Sequence, residues 1–255
     1  MDDPASRPGM LARAKRILDA FDDDATLLSQ LELVRRTGLP QSSLQRIVAE
    51  MTELGFLDRR SRDGYAIGTA LWERGTLSPV DFRLRETALP HLIRLYEDSG
   101  ENVHLGVLAG GSPETAEALY VARIAGPRSV PTMSRAGGRH TLHATGVGKA
   151  LLSTRDPEWL ERFLAAPLER ETSRTITDPQ ALRRDIALAA ERGYALTSEE
   201  MSLGSWSIGM ALPPVPGLPP AAVGLVARLD RRHVERAEAQ LRTATTAIAA
   251  DAARA

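Results

Sequence analysis

The sequence predicts an α+β protein of two domains, a small helical N-terminal domain and a larger domain of antiparallel strands with helices packed on them. The chain has 255 residues, which is more than one small domain requires. Its first quarter places apolar residues at helical spacing and ends in a hairpin pattern. After residue 100, short alternating segments typical of strands are mixed with helical ones, and this order is typical of an α+β domain.

The composition excludes several classes of protein. Lysine and arginine number 32 against 33 acidic residues, so the whole molecule is not a polybasic partner of nucleic acid or membrane. The chain has no cysteine, which excludes disulfides, thiolate metal sites and cysteine nucleophiles. No apolar run approaches the roughly 18 residues of a membrane span. We therefore expect a cytoplasmic protein without a membrane partner, and residues 1–9 to form a disordered tail rather than a signal peptide.

The first domain, residues 10–77, begins with a pattern of three helices. Residues 10–22 carry the first apolar stripe, and Ser29 with Glu32 matches a capping box at the start of the second helix. In that helix Leu31 and Val34 are expected to face inward. Gly38 ends the second helix and Pro40 begins the third, whose apolar stripe runs from Leu44 to Leu54.

The short connection between the second and third helices is typical of a helix-turn-helix. Gln41, Ser42, Gln45 and Arg46 lie off the apolar stripe of the third helix, where they could reach base edges and phosphates in a major groove.

A hairpin with an Asp63-Gly64 turn follows the third helix, and its tip carries three arginines, Arg59, Arg60 and Arg62. Residues 35–62 include six arginines and three acidic residues, and this excess of positive charge suits contact with phosphates. The residues thus favour a winged DNA-binding unit over the alternative, a generic helical subdomain with solvated arginines.

A linker helix, residues 78–99, is predicted to join this unit to the second domain, residues 100–255. A short helix over 69–76 precedes the linker, and Pro90 should kink or break it. The remaining pattern predicts strands at 102–109, 118–124, 129–134, 207–212 and 222–230, and helices at 145–153, 158–166, 179–192 and 233–253.

The residues provide no constellation for catalysis. Residues 145–150 resemble a phosphate-binding loop but lack its first glycine and its magnesium-binding hydroxyl, which leaves a glycine-rich helix start that could hold a carboxylate or phosphate. His104, His140 and His143 lack the converging carboxylate that a metal site would need. Glu199 and Glu200 would point to opposite faces of a strand. We therefore expect no catalytic residue, metal or cofactor, and no enzyme.

Three stretches together resemble the IclR family of bacterial transcription regulators. The first is residues 33–46 with 54–57, the second is residues 137–150, and the third is residues 192–194 with Glu199, Glu200 and Gly204. The second stretch is the most specific because it is long and unlike other winged-helix families. The similarity extends over nearly the whole chain.

The resemblance implies a winged helix-turn-helix, a linker helix and an effector-binding domain of GAF-like fold. Such proteins act as dimers or tetramers on palindromic sites in double-stranded DNA, and they repress or activate genes under the control of a small molecule, often an organic or aromatic acid. The positions that read DNA would be Gln41, Ser42, Ser43, Gln45 and Arg46. The wing arginines would contact the DNA backbone.

The resemblance also implies an effector pocket, whose positions fall on Gly146, Thr197, Ser207, Arg228 and Asp230. Family members often have two small hydroxyl residues where Arg228 and Asp230 stand here. Three interpretations remain open: the two charged residues pair and fill the pocket, Arg228 anchors an acidic ligand, or a register shift leaves both at the surface.

The sequence leaves two other functions open. The chain could be a small-molecule binding or enzymatic α+β protein whose helical N-terminal domain does not bind DNA. The winged unit could also bind a partner protein, and a steep fall of binding with salt would favour DNA over that alternative.

Overall fold

The computed structural model describes residues 9–22, 25–61, 64–75, 77, 84–127, 129–132 and 134–254. The chain divides into two compact units, residues 1–78 and 79–255. Residues 1–8 of the predicted tail, Arg62 and Asp63 of the hairpin, and residues 78–83 of the predicted linker helix lie outside the described residues.

The first unit combines helices with a small antiparallel sheet in the order β1-β3-β2. Its elements are α1 (Met10–Leu18), β1 (Leu28–Ser29), α2 (Gln30–Thr37), α3 (Gln41–Glu53), β2 (Leu57–Arg59), β3 (Gly64–Ile67) and α4 (Thr69–Gly75). The predicted wing is the pair β2–β3. Residues 10–22 were expected to be helical throughout, but α1 ends at Leu18.

The start and end of α2 follow from local sequence. The Ser29 hydroxyl accepts a hydrogen bond from the Glu32 amide at 3.2 Å, and the Ser29 amide donates to the Glu32 carboxylate at 2.8 Å, which completes the predicted capping box. Gly38 adopts φ 64°, the left-handed conformation that ends many helices. Of the two residues predicted to face inward, Val34 is half-buried against the core, whereas Leu31 is 78% exposed; Leu33 and Thr37 are the buried residues of this helix.

The second unit contains six strands, covered by helices, among its described residues. Its elements are α5 (Glu86–Ser99), β4 (Asn102–Ala109), β5 (Glu117–Ile124), β6 (Arg139–His140), α6 (Gly146–Leu152), α7 (Pro157–Ala165), α8 (Pro179–Arg192), β7 (Ala195–Ser198), β8 (Ser205–Ala211), β9 (Ala221–Arg228) and α9 (Val234–Arg254). Short 3₁₀ helices lie at Pro113–Thr115 and Leu229–Arg231. No helix among the described residues is long and apolar enough to cross a membrane.

The six strands form one antiparallel sheet in the order β6-β5-β4-β9-β8-β7. On one face, α5 and α9 pack against the sheet over an apolar core. On the other face, α6 lies across the central strands, with α7 and α8 packed in the same layer. The sheet is therefore buried on both sides.

Alternation along the strands divides the side chains between these two faces. Leu105, Ile208 and Leu225 belong to the apolar core under α5 and α9. Their neighbours His104, Ser207 and Gly224 point to the opposite face, where α6 lies. The face toward α6 therefore carries small and polar residues.

The structure differs from the sequence prediction at several places in this unit, and strands β6 and β7 were not predicted. Residues 129–132 and 134 form no strand; the Val130 carbonyl accepts a hydrogen bond from the Asn102 side chain at 2.6 Å instead of joining a ladder. The helix α5 includes Pro90 and continues past it, so of the two effects predicted for this proline the break is absent. The last strand ends at Arg228, and Asp230 lies in the 3₁₀ helix beyond it.

Candidate functional site

The third helix of the first unit presents a polar outer face. Leu44, Ile47, Val48 and Met51 are buried beneath it. The predicted DNA-reading residues Gln41, Ser42, Gln45 and Arg46 are exposed, and Ser43 is half-buried. The helix therefore offers hydrogen-bonding side chains to a groove while its apolar stripe holds it to the unit.

The wing carries exposed arginines. Arg59 and Arg60 are both exposed near the end of β2, and Arg60 contacts the Asp58 carboxylate at 2.8 Å. Arg46 on the helix lies 3.9 Å from Glu50. Ion pairs at such exposed positions contribute little to stability, so these guanidinium groups can exchange their carboxylate partners for DNA phosphates.

A cavity of about 130 Å³ lies between the sheet of the second unit and the start of α6. This is far more than one water requires, so a small organic molecule fits. Its apolar part includes the side chains of Tyr120, Val147 and Val226. Hydroxyl groups of Thr132, Ser134, Thr197, Ser202, Ser205 and Ser207 line the rest.

A group of hydrogen bonds joins three elements at the cavity wall. Ser207 Oγ on β8 accepts a hydrogen bond from the Gly146 amide at 3.0 Å and lies 2.6 Å from Thr197 Oγ1 on β7. The Gly148 amide donates to the Thr145 side chain at 3.0 Å. Two amides of the glycine-rich helix start are therefore already bonded within the chain. They are not available to a bound anion, which weakens the prediction that this helix start holds a carboxylate or phosphate.

Two histidines and a tyrosine form a row of rings along the cavity. The ring centroids of His104 and Tyr120 are 4.8 Å apart, and those of Tyr120 and His140 are 4.7 Å apart. Burial lowers the pKa of His104 to about 3 and also lowers the pKa of His140, because a charged imidazole would lose its hydration. Both rings are therefore neutral at neutral pH, and His104 Nε2 hydrogen-bonds with Ser134 Oγ at 2.6 Å.

The remaining histidine of the sequence motif also has a structural partner. His143 Nε2 lies 2.8 Å from the Glu169 carbonyl oxygen. Among the residues that the structure describes, no three His, Asp or Glu side chains converge as a metal site would require.

The structure places three of the five predicted effector residues at the cavity. Gly146, Thr197 and Ser207 line it, whereas Arg228 and Asp230 do not. The side chains of Arg228 and Asp230 are 62% and 68% exposed and lie 3.5 Å apart. Both are therefore at the surface, as the last of the three open interpretations expected, but because the strand ends at Arg228 and not because its register is shifted.

The strand face was predicted correctly, but the position along the strand was wrong. Val226 and Gly224, two and four residues before Arg228, occupy the cavity wall on that face. As a result, the described residues that line the cavity include no Asp, Glu, Lys or Arg.

Sequence reasoning missed a buried charge cluster beneath the cavity. Lys149 is fully buried, and its Nζ lies 2.6 Å from Asp185 Oδ2 and 2.8 Å from Glu200 Oε2. Burial raises the pKa of Glu200, and the nearby ammonium group opposes that shift. Glu199 and Glu200 follow β7 and do not lie on a strand as predicted, although their side chains do have different partners: the Glu199 carboxylate accepts from the Gly204 amide, and Glu200 faces Lys149.

A winged helix-turn-helix and a separate α+β unit with a ligand-sized cavity together define a class, the ligand-responsive DNA-binding regulators. The chain belongs to the IclR family of bacterial transcriptional regulators. The family model described as the IclR helix-turn-helix domain matches residues 10–61, and the model of the bacterial transcriptional regulator IclR C-terminal domain matches residues 78–253. The protein is thus an IclR-type DNA-binding transcriptional regulator.

Individual relatives agree with this assignment. The chain is 34% identical over 199 residues to the HTH-type transcriptional regulator XynR of Escherichia coli, covering 75% of each protein. It is 29% identical over 246 residues to the glycerol operon regulatory protein of Streptomyces coelicolor, covering 96% of this chain and 93% of that one.

A solved structure is also similar over nearly the full length. It is the crystal structure of an IclR homologue from Microbacterium hydrocarbonoxydans in complex with 4-hydroxybenzoate, with 33% identity and a TM-score of 0.86. The match covers 97% of this chain and 100% of that one.

Proposed function

We propose that this regulator binds a palindromic operator as a dimer or tetramer in the cytoplasm, and that an aromatic acid in the cavity of the second unit changes its affinity for that operator. The DNA contacts come from Gln41, Ser42, Ser43, Gln45 and Arg46 on α3 and from Arg59, Arg60 and Arg62 of the wing. The effector contacts include Gly146, Thr197 and Ser207. Repression and activation are both compatible with this arrangement.

The exposed polar face of α3 supports the assignment of DNA contacts. Gln45 and Arg46 are long enough to reach base edges, and the short side chains of Ser42 and Ser43 allow close approach to the backbone. Wing arginines would add phosphate contacts, which position the domain without reading sequence.

The character of the cavity is the observation that carries the effector proposal. It combines an aromatic ring, apolar walls and several hydroxyl groups within one small volume. Such a site suits a flat ring that bears one or two polar substituents. The homologue that binds 4-hydroxybenzoate has the same fold, which supports this ligand class here.

The proposed mechanism is a shift between two states of the assembled regulator. A ligand changes operator affinity only to the extent that it binds the two states unequally, and a coupling of about 1–3 kcal/mol is typical. The wall of the cavity includes β7, β8, β9 and α6, so an occupant touches several elements that an alternative arrangement would move apart.

The test is a selection of bound sequences from random DNA with the purified full-length protein. We expect enrichment of a palindrome, and a changed affinity for that palindrome when 4-hydroxybenzoate is added at fixed salt. No enrichment in either the absence or presence of the ligand would contradict the proposed operator binding. Enrichment without any response to 4-hydroxybenzoate, together with no heat of binding in calorimetry, would contradict the proposed effector.

A further inference from the structure

Lys149 is an exception in the composition of this chain. The sequence has 32 basic residues, and Lys15 and Lys149 are its two lysines. Lys15 is exposed, whereas the Lys149 side chain has 0% exposure. An ammonium group is a compact charge with three donors, while the guanidinium of arginine is a larger planar fork. A chain with 30 arginines thus has one of its two lysines at a fully buried position.

The three donors of Lys149 are all used. Its Nζ donates to Asp185 Oδ2 at 2.6 Å, to Glu200 Oε1 at 2.9 Å and to Glu200 Oε2 at 2.8 Å. Asp185 belongs to α8, and Glu200 follows β7. One ammonium therefore joins α6 to a helix on one side and to an irregular segment on the other.

That irregular segment, residues 199–204, forms part of the cavity wall, and we call it the wall segment. Met201 and Ser202, directly after Glu200, line the cavity. Lys149 itself and Glu200 are not among the lining residues. The buried charge thus contacts the wall segment through Glu200 without lining the cavity.

The wall segment needs external support because its backbone is not relaxed. Glu199 adopts φ 59°, a left-handed conformation that a residue with a Cβ atom rarely adopts. Hydroxyl groups of Thr172 and Thr175 donate to the carbonyls of Glu199 and Glu200 at 2.6 and 2.7 Å. The Lys149–Glu200 ion pair is the charged member of this set of contacts.

We propose that Lys149 is a positioning residue for the effector cavity: through Glu200 it holds the wall segment so that Met201 and Ser202 face the ligand. Asp185 ties the same ammonium to α8 and does not reach the wall. The ligand part of this inference rests on the proposed effector function, but the positioning of the wall does not.

The two carboxylates of the cluster provide matched variants. Glu200→Met and Asp185→Leu each replace one carboxylate with an apolar side chain and leave Lys149 paired with the other carboxylate. Glu200→Gln, which keeps an acceptor, is the conservative variant and serves if Glu200→Met does not fold. Thermal unfolding of each full-length protein reports the general loss of stability.

The deciding measurement is hydrogen–deuterium exchange of peptides that cover residues 199–205, without ligand. In Glu200→Met we expect exchange there to rise about tenfold, as loss of ~1.4 kcal/mol of local stability would give. In Asp185→Leu we expect the exchange rate at these residues to rise less than about twofold, even if this variant loses as much thermal stability as Glu200→Met. An equal rise in both variants, or none in Glu200→Met and Glu200→Gln, would overturn the proposal.

Calorimetry with 4-hydroxybenzoate separates this inference from the proposed effector. We expect Glu200→Met to weaken binding about tenfold and Asp185→Leu by less than about twofold. If the parent protein does not bind 4-hydroxybenzoate, the proposed effector fails, and the exchange measurement still decides whether Lys149 positions the wall.

Discussion

Ser207 on β8 and Gly146 at the start of α6 are joined by a hydrogen bond of 3.0 Å from the Gly146 amide to the Ser207 hydroxyl. The same hydroxyl lies 2.6 Å from Thr197 Oγ1 on β7. All three residues line the cavity, so one buried side chain fixes the relative position of two strands and a helix around it.

Replacement of this hydroxyl should affect both stability and ligand binding. Ser207→Val leaves the buried Gly146 amide without its acceptor, which costs about 1–3 kcal/mol. We expect urea unfolding to show this loss and calorimetry to show weaker binding of 4-hydroxybenzoate. Ser153→Ala is the control, because its hydroxyl donates to the Ala150 carbonyl at the end of α6, outside the cavity lining. Unchanged ligand affinity in Ser207→Val would remove Ser207 from the effector site.

The absence of charged groups from the described cavity lining predicts which substituents a ligand can carry. A site built around a cation would discriminate strongly between a carboxylate and its neutral amide. Here hydroxyl groups are the polar partners, so we expect 4-hydroxybenzamide to bind within about tenfold of 4-hydroxybenzoate, a difference of ~1.4 kcal/mol or less. Calorimetric titration of both compounds into one protein preparation measures this ratio. A preference for the acid above about a hundredfold would show that a cationic group, absent from this lining, reaches the ligand.

His104 should make the second unit sensitive to acid. Its folded-state pKa of about 3 lies below the ordinary histidine value of 6.5, so between these values the unfolded chain binds more protons than the folded one. The stability associated with a neutral His104 is therefore complete above pH 6.5 and falls as the pH falls toward 3. From pH 7 to pH 5 the loss is about 2 kcal/mol.

Unfolding by urea at several pH values tests this prediction. His104→Phe keeps a ring beside Tyr120 and removes the titrating group. We expect the parent to lose more stability than this variant between pH 7 and pH 5, by about the 2 kcal/mol given by linkage. Parallel pH profiles for the two proteins would show that His104 is not protonated on unfolding in this range.

Arg46 on the exposed face of α3 should contribute to operator affinity. We expect Arg46→Ala to weaken binding to the selected operator by about 1–3 kcal/mol, as loss of a good base contact does. Arg184→Ala is the control, because it removes the same charge from an exposed position on α8. Fluorescence anisotropy at matched salt compares them. Equal affinities of Arg46→Ala and Arg184→Ala would place Arg46 outside the DNA contact.

Elements with strong local signals were predictable from sequence. The helix α8 was predicted with both ends correct. Its local signals are strong, since Asp178 caps its start, Pro179 opens it and Gly193 ends it. The strand at Asn102–Ala109 was also correct. The two-residue strands β1 and β6 are too short to show any alternation, and neither was predicted. A strand was predicted at 129–134 instead of β6.

The candidate site was harder to predict because it depends on where strands end and which partners meet. Alternation placed Arg228 on the correct face, but nothing local shows that the sheet ends there and that Leu229 bonds to the Gly204 carbonyl instead. The cluster of Lys149 with Asp185 and Glu200 joins residues far apart in sequence. The rarity of lysine in this chain was the one signal that could have drawn attention to it.

The glycines between the sheet and α6 allow the helix to approach the sheet closely, and this close contact can be tested. A Cβ atom at Gly209 would lie 2.1 Å from the Gly146 carbonyl oxygen, so Gly209→Ala must push α6 away from β8. We expect this variant to lose about 1–3 kcal/mol of stability and to bind 4-hydroxybenzoate more weakly. Gly111→Ala, where nothing lies within 4 Å of the added atom, is the matched control. If Gly209→Ala unfolds in urea like Gly111→Ala, the close contact between β8 and the start of α6 does not exist in solution.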